Sequence, residues 1–143
     1  MKLTQIEIIK LITRLYTPLS GYWFDEISEC SEADKFLKEG CLSLEEEHKD
    51  KYIINAKGGN YLHPYIEAIS VDFIKFMQAN QYRCANERIV DWYMKKYNLE
   101  DIDLAKEIAE YICKNLETYH YKTTSFHSSQ IGNGYEIEKS KME

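Results

Sequence analysis

The chain lacks the sequence features that most directly indicate a catalytic or membrane protein. It has no run of about 18 apolar residues, so no segment predicts a membrane-spanning helix. Its four cysteines include no C-x-x-C pair, and their spacing matches no common zinc site. No P-loop, G-x-S-x-G or H-E-x-x-H motif is present, and the four histidines are dispersed. We therefore expect no catalytic residues, no cofactor and no metal ion, and we favour a binding role.

The N-terminal residues also lack the unbroken apolar core of a secretory signal, because Glu7, Lys10 and Arg14 interrupt them. Apolar side chains recur at helical spacing between Thr4 and Tyr16, and Thr4 is a suitable N-cap. The sequence therefore predicts an amphipathic first helix. We expect a cytoplasmic protein that does not bind membranes, with four free thiols that behave as small hydrophobic side chains.

The most informative segment runs from Phe36 to Leu62. Gly40 follows the end of a short helix, where glycine readily adopts a left-handed backbone. Residues 41–44 and 52–54 have the composition of two strands, and the charged residues between them suit a hairpin tip. Asn55 is a good N-cap for the helix that follows. The segment predicts a β-hairpin between two helices.

This segment resembles the wing of winged helix-turn-helix proteins, in which Y-x-L-T-x-x-G-x-x-x-L often leads into the next helix. The corresponding residues are YIINAKGGNYL, from Tyr52 to Leu62, with Asn55 where the family usually has threonine. The resemblance covers about residues 2–80 and implies a winged-helix-like domain; the alternative is a hairpin in another α+β domain. Residues 16–36 leave little room for the two helices that precede the wing, so either the middle helix is short or the recognition helix is reduced.

Three local features complete the predicted N-terminal domain. The aromatic cluster Tyr22–Phe24 is either a short strand that pairs with the wing or part of the packing at the next helix. Ser31 is a candidate cap for the helix before the wing. The long helix after the wing runs from Ala56 to about Ala79, or begins at His63 if Pro64 lies in its first turn.

The C-terminal half predicts two more helices, over residues 83–97 and from an Asp101 cap to about Tyr119. In winged-helix proteins such added helices often make dimer or partner contacts; the alternative is ordinary core packing. Beyond them the sequence is polar and rich in glycine, which predicts a mobile tail, with Tyr135–Ile137 as an alternative edge strand. The predicted fold is mainly α with a small β-hairpin, divided into a winged-helix-like domain (1–80), a C-terminal helical extension (81–121) and a flexible tail (122–143).

Negative charge is concentrated in residues 25–50, which carry ten acidic and three basic side chains, a net charge of −7. In a winged helix this block would fall on the recognition helix and the wing tip, where it would repel DNA phosphates. The block is either a solvated face or a binding surface for a basic protein, as in many inhibitors, immunity proteins and antitoxins. The predicted partner-binding residues are Asp25, Glu26, Glu29, Glu32, Glu45, Glu46, Glu47 and Asp50.

A basic strip supports an alternative function. A winged-helix transcriptional regulator that forms a homodimer through its C-terminal helices would need such a strip to contact nucleic acid. The other interpretation is a solvated helix face, with Glu87 and Asp91 as ion-pair partners. The strip consists of Arg83, Arg88, Lys95 and Lys96. The leading hypothesis remains a non-catalytic module that binds a basic protein partner.

Overall fold

The computed structural model describes residues 1–15, 21–47 and 50–140. Its contacts divide the chain into two compact units, Met1–Ile66 and Glu67–Glu143. The chain is mainly α-helical, as the sequence predicts, and its described residues form two three-stranded antiparallel sheets. No helix among the described residues is long and apolar enough to cross a membrane. The predicted end of the first helix near Tyr16 lies outside these residues.

The first unit begins with a helix and a short strand, continues through two helices and a hairpin, and ends in the first part of a long helix. Its elements are α1 Gln5–Thr13, β1 Tyr22–Trp23, α2 Phe24–Ile27, α3 Ser31–Lys38, β2 Leu42–Leu44, β3 Lys51–Ile54 and the start of α4 Ala56–Ala79. The hairpin prediction is confirmed, and Tyr22 and Trp23 form a strand, one of the two alternatives. The middle helix, α2, has only four residues, one of the two alternatives that the limited space leaves. The strands pair in the order β1-β3-β2.

Short side chains fix the ends of these helices. The Thr4 hydroxyl accepts a 3.2 Å hydrogen bond from the Glu7 N–H, which makes Thr4 the cap of α1 as predicted. The Asn55 side-chain oxygen accepts from the Gly58 N–H at 3.1 Å, so α4 begins at Ala56 and includes Pro64. The prediction for Ser31 is wrong. Ser31 lies inside α3, and its hydroxyl donates to Glu7 instead of capping the helix.

Two glycines allow the sheet of the first unit to form. Gly40 has a φ of +73° and reverses the chain between α3 and β2, as predicted. Gly21 has a φ of +90° and packs against β3, where an added Cβ would lie 2.2 Å from the Tyr52 carbonyl oxygen. The core of the unit is formed by fully buried side chains of α1, β1, α3 and α4: Ile9, Leu11, Ile12, Tyr22, Phe36 and Leu62.

The second unit contains the remainder of α4, two further helices and a three-stranded sheet. The elements are β4 Arg83–Ala85, α5 Asn86–Lys96, α6 Ile102–Asn115, a 3₁₀ turn Leu116–Tyr119, β5 Tyr121–Ser128 and β6 Gly132–Lys139, and the strand order is β4-β6-β5. The Asp101 carboxylate accepts from the N–H groups of Asp103 and Leu104, at 2.9 and 3.4 Å, and so caps α6 as predicted. The core combines stacked rings from α4 and α5 with aliphatic side chains from α6.

The prediction of a flexible tail over residues 122–143 is wrong for residues 122–140. These residues form the β5–β6 hairpin, and β6 is the central strand because β4 pairs along its other edge. Ile137 is 2% exposed, and its N–H donates to the Tyr82 carbonyl at 3.0 Å. The alternative of an edge strand at Tyr135–Ile137 therefore identified a strand correctly but not its central position. Arg83 also differs from the prediction, because it lies in β4 before the start of α5.

Candidate functional site

The predicted acidic residues lie on α2, in the turn after it, on α3 and at the tip of the β2–β3 hairpin. Helix α2 is joined to the hairpin tip by the Phe24 N–H, which donates to the Asp50 carbonyl at 2.9 Å. Five of the eight predicted carboxylates are exposed, and none of the five forms an ion pair within the described part of the chain. We call these five residues the acidic surface: Asp25, Glu29, Glu46, Glu47 and Asp50.

The other three predicted residues have structural roles. Glu26 accepts a 3.2 Å hydrogen bond from the Trp23 N–H and lies 3.3 Å from the Arg14 guanidinium, which anchors the start of α2 to α1. Glu45 lies 3.9 Å from the ammonium of the buried Lys51. The carboxylates of Glu26 and Glu45 therefore already lie beside cations of the same unit.

Glu32 does not belong to the surface at all. Its side chain is only 3% exposed, and one of its carboxylate oxygens has no hydrogen-bond partner among the described residues. Burial raises the pKa of this carboxyl group above its ordinary value. The prediction that Glu32 binds a partner at the surface is therefore wrong. The sequence placed Glu32 on a helix correctly, but the face of that helix toward which it projects is packed against the core.

Helix α3 precedes the hairpin and carries two lysines, both of which bind carboxylates of the same unit. Lys35 lies 2.8 Å from Glu7, and Lys38 lies 2.9 Å from Asp34. Each ion pair reduces the positive potential that these lysines offer to an external anion. The surface around α3 is therefore poorly suited to phosphate.

An apolar patch adjoins the acidic surface. Leu44 is opposite Tyr52 in the β2–β3 register, and the Tyr52 ring lies 4.8 Å from the Phe24 ring. Phe24 is 45% exposed and Leu44 is 55% exposed. The sequence predicts an aromatic cluster at residues 22–24 but not the exposure of Phe24. No local signal marks Phe24 and Leu44 as exposed, because the buried Leu116 and Ile137 are likewise followed directly by acidic residues. We call Phe24, Leu44 and Tyr52 the apolar patch.

The residues of the basic strip lie in the second unit. Arg88, Lys95 and Lys96 are exposed on α5, where Lys95 forms the predicted ion pair with Asp91 at 3.0 Å. Arg83 lies on β4, with its guanidinium carbon 4.2 Å from the centre of the Phe126 ring. The strip is therefore divided between a helix and a strand, with one of its cations already paired.

The four cysteines are free thiols, and three of them, Cys41, Cys84 and Cys113, are buried. Burial raises the pKa of all four thiols, and it raises that of Cys113 to about 12. A nucleophilic cysteine needs a lowered pKa, so these thiols have the opposite character. Among the described residues, no three His, Cys, Asp or Glu side chains are grouped so as to hold a metal ion.

Against known protein families, curated proteins and solved structures, the chain has no match.

Proposed function

We propose that the chain is a non-catalytic protein-interaction module, in which a winged-helix-like unit binds a basic protein partner through the acidic surface. The observation that carries this proposal is the exposure of five carboxylates that no cation of the described residues neutralises. An inhibitor, an immunity protein or an antitoxin would use such a surface to cover the basic cleft of its target. Complementary charge of this kind speeds association and selects against acidic partners.

The winged-helix-like part of the proposal is supported by the element order in the first unit. A helix and a strand precede two helices, a hairpin follows, and the first strand pairs with the returning strand of that hairpin. The resemblance of Tyr52–Leu62 to a wing leads to the same expectation for the hairpin and for the helices before and after it. The short α2 fits the limited space that the sequence leaves before the hairpin.

A matched pair of charge reversals tests the proposed function. Glu46→Lys with Glu47→Lys reverses two carboxylates of the acidic surface at the hairpin tip. Glu100→Lys with Glu107→Lys makes the same change in net charge at exposed positions of the second unit. Tagged forms of both variants and of the wild type are used for affinity capture from native cell lysate, with nuclease added to remove nucleic acid.

We expect the wild type and the second-unit variant to retain the same stoichiometric basic protein, while the hairpin variant loses it. Circular dichroism establishes that each variant is folded. Equal capture by both variants, or a captured protein that is not basic, would contradict the proposal.

The alternative function, a transcriptional regulator that dimerises through its C-terminal helices, is favoured by the exposure of Arg88, Lys95 and Lys96 on one helix. Arg88 and Lys95 are seven residues apart and share a face of α5, so both could contact one phosphate backbone. This function predicts duplex DNA binding that weakens steeply with salt and is reduced by Arg88→Ala with Lys95→Ala. Fluorescence anisotropy with a random-sequence duplex measures both effects, and absent or salt-independent binding would eliminate the alternative.

A further inference from the structure

The apolar patch is contiguous, which distinguishes it from the scattered apolar side chains found on most protein surfaces. The Phe24 and Tyr52 rings are 4.8 Å apart, and Leu44 is the cross-strand neighbour of Tyr52. Single exposed apolar residues are ordinary, whereas large contiguous apolar surfaces are typical of places that another molecule covers. The three side chains come from a helix and two strands, so the patch exists only in the folded unit.

The backbone beneath the patch is held by hydrogen bonds on several sides. The Phe24 N–H donates to Asp50, and the Glu45 N–H, next to Leu44, donates to the Lys51 carbonyl at 3.0 Å. Tyr52 is in the central strand of its sheet, paired on both edges. Because these positions are fixed before binding, covering them costs little conformational entropy, and this favours their use as anchors.

The carboxylates around the patch identify what can cover it. Asp25 follows Phe24, Glu46 and Glu47 follow Leu44 by a few residues, and Asp50 lies two residues before Tyr52. A second copy of this chain would bring two such acidic rims together, and nucleic acid or anionic lipid would be repelled in the same way. A polypeptide segment with lysine or arginine on either side of an apolar side chain fits this surface. Its apolar side chain would cover the apolar patch, and its cations would lie beside the carboxylates.

We infer that the apolar patch is the anchor of the acidic surface, and that the partner's contacting segment is basic with an apolar side chain at its centre. This inference rests on the proposed function and adds the chemistry of the contact. The carboxylates govern the association rate and its dependence on salt, while burial of Phe24 and Leu44 governs the dissociation rate.

The test uses a displayed library of random short peptides, selected on the wild-type chain. Bound peptides are then measured against three variants. Phe24→Ser with Leu44→Ser removes the patch, and Glu46→Lys with Glu47→Lys reverses the charge of the rim. Ile102→Ser with Ile131→Ser is the matched control, because it removes two equally exposed apolar side chains from the second unit. If Phe24→Ser with Leu44→Ser does not fold, the single variant Leu44→Ser replaces it in the test.

We expect the selected peptides to be rich in lysine or arginine around one recurring apolar position. The patch variant should bind them at least about tenfold more weakly, through faster dissociation and with an unchanged salt dependence. The charge variant should lose most of the salt dependence, and the isoleucine control should bind as the wild type does.

The possible failures separate the two proposals. Basic peptides that lack an apolar position and bind the patch variant normally would overturn the anchor inference and leave the proposed function standing. Peptides that are not basic, or that bind the charge variant as tightly as the wild type, would overturn both. A selection that enriches no peptide at all would also count against both, because a preformed anchor with an acidic rim should retain some of them.

Discussion

The Glu7 carboxylate of α1 lies 2.8 Å from the ammonium group of Lys35 in α3, and Glu7 is only 7% exposed. The same carboxylate accepts a 2.6 Å hydrogen bond from the Ser31 hydroxyl and a 2.8 Å bond from the Thr4 N–H. One side chain therefore closes the cap of α1 and links α1 to α3. These bonds fix the helix that leads into the hairpin of the acidic surface.

Glu7 should make the stability of the first unit dependent on acidic pH. Burial by itself raises the pKa of Glu7, but the hydrogen bonds from Lys35, Ser31 and Thr4 outweigh it and lower the pKa from 4.5 to about 2. A carboxyl group whose pKa is lowered in the folded state stabilises the fold at pH values above the pKa that the group has in the unfolded chain. This contribution, on the order of 3 kcal/mol, should be lost as the pH falls from about 4.5 to 2.

The variant Glu7→Gln should remove this dependence and lower the free energy of unfolding at pH 7 by about 3 kcal/mol. Urea unfolding followed by circular dichroism at pH 7 and pH 3 measures both effects. Asp34→Asn is the control, because it breaks the exposed pair with Lys38 and should cost less than about 1 kcal/mol. Equal losses of unfolding free energy in Glu7→Gln and Asp34→Asn would contradict the stabilising role of the Glu7 carboxylate.

Glu32 should behave in the opposite way. Its carboxylate is buried with one oxygen unpartnered among the described residues, and burial raises its pKa. A carboxyl group with a raised pKa in the folded state reduces stability once the pH exceeds its unfolded value. Glu32→Gln should therefore stabilise the first unit at pH 7 by about 1 kcal/mol, and the gain should disappear below about pH 4. A loss of stability at pH 7 in the same urea measurement would show that the Glu32 charge has a compensating partner.

The sequence predicts those parts of the fold that depend on short-range chemistry. Thr4, Asn55 and Asp101 cap helices because their side-chain oxygens reach nearby N–H groups, and Gly40 reverses the chain because its backbone is permissive. The β5–β6 hairpin was missed because its stability depends on pairing with the distant strand β4. Thr123, Thr124 and Phe126 favour a strand, but the glycines and charged residues of β6 weaken the local signal of its partner.

The candidate site could be predicted only in part. The position of its carboxylates on the hairpin tip follows from local sequence, whereas the exposure of each side chain is decided by tertiary packing. Glu32 and Glu29 are the same residue type three positions apart, yet the first is buried and the second is exposed. The apolar patch could not be predicted either, because Phe24, Leu44 and Tyr52 meet only through the strand register and the start of α2.

Two neighbouring glycines in α4 should respond oppositely to alanine. An added Cβ at Gly58 would lie 2.7 Å from both the Cys41 carbonyl oxygen and the Ile54 Cγ2 atom, whereas at Gly59 it would meet nothing within 4 Å. Gly58→Ala should destabilise the first unit by about 1–3 kcal/mol, because the hairpin must move away from α4. Gly59→Ala should stabilise it by about 0.5–1 kcal/mol through helix propensity. Thermal unfolding of the two variants measures the difference, and changes of the same sign would contradict the close packing at Gly58.

The C-terminal hairpin should be part of the cooperative fold of the second unit. Ile137 is buried in the central strand, so Ile137→Ala should lower the stability of that unit by about 2–5 kcal/mol. Ile131→Ala, at an exposed position before β6, should change it by less than about 0.5 kcal/mol. Hydrogen exchange adds a direct measurement, since the β6 amides should be protected to the same degree as those of α5. Rapid exchange throughout β6 would restore the prediction of a mobile tail.

Tyr93 presents a buried hydroxyl whose removal should not weaken the second unit. Its ring is fully buried and lies 5.7 Å from Phe73, but its hydroxyl has no hydrogen-bond partner among the described residues. Tyr93→Phe keeps the ring contacts and removes the desolvated hydroxyl, so stability should stay the same or rise by about 1 kcal/mol. Tyr97→Phe is the matched comparison, because the Tyr97 hydroxyl donates to Asp72 at 3.5 Å and its loss should lower stability by about 0.5–1 kcal/mol. Urea unfolding of the two variants compares them directly, and a clear loss in Tyr93→Phe would mean that its hydroxyl is bonded to an ordered water molecule.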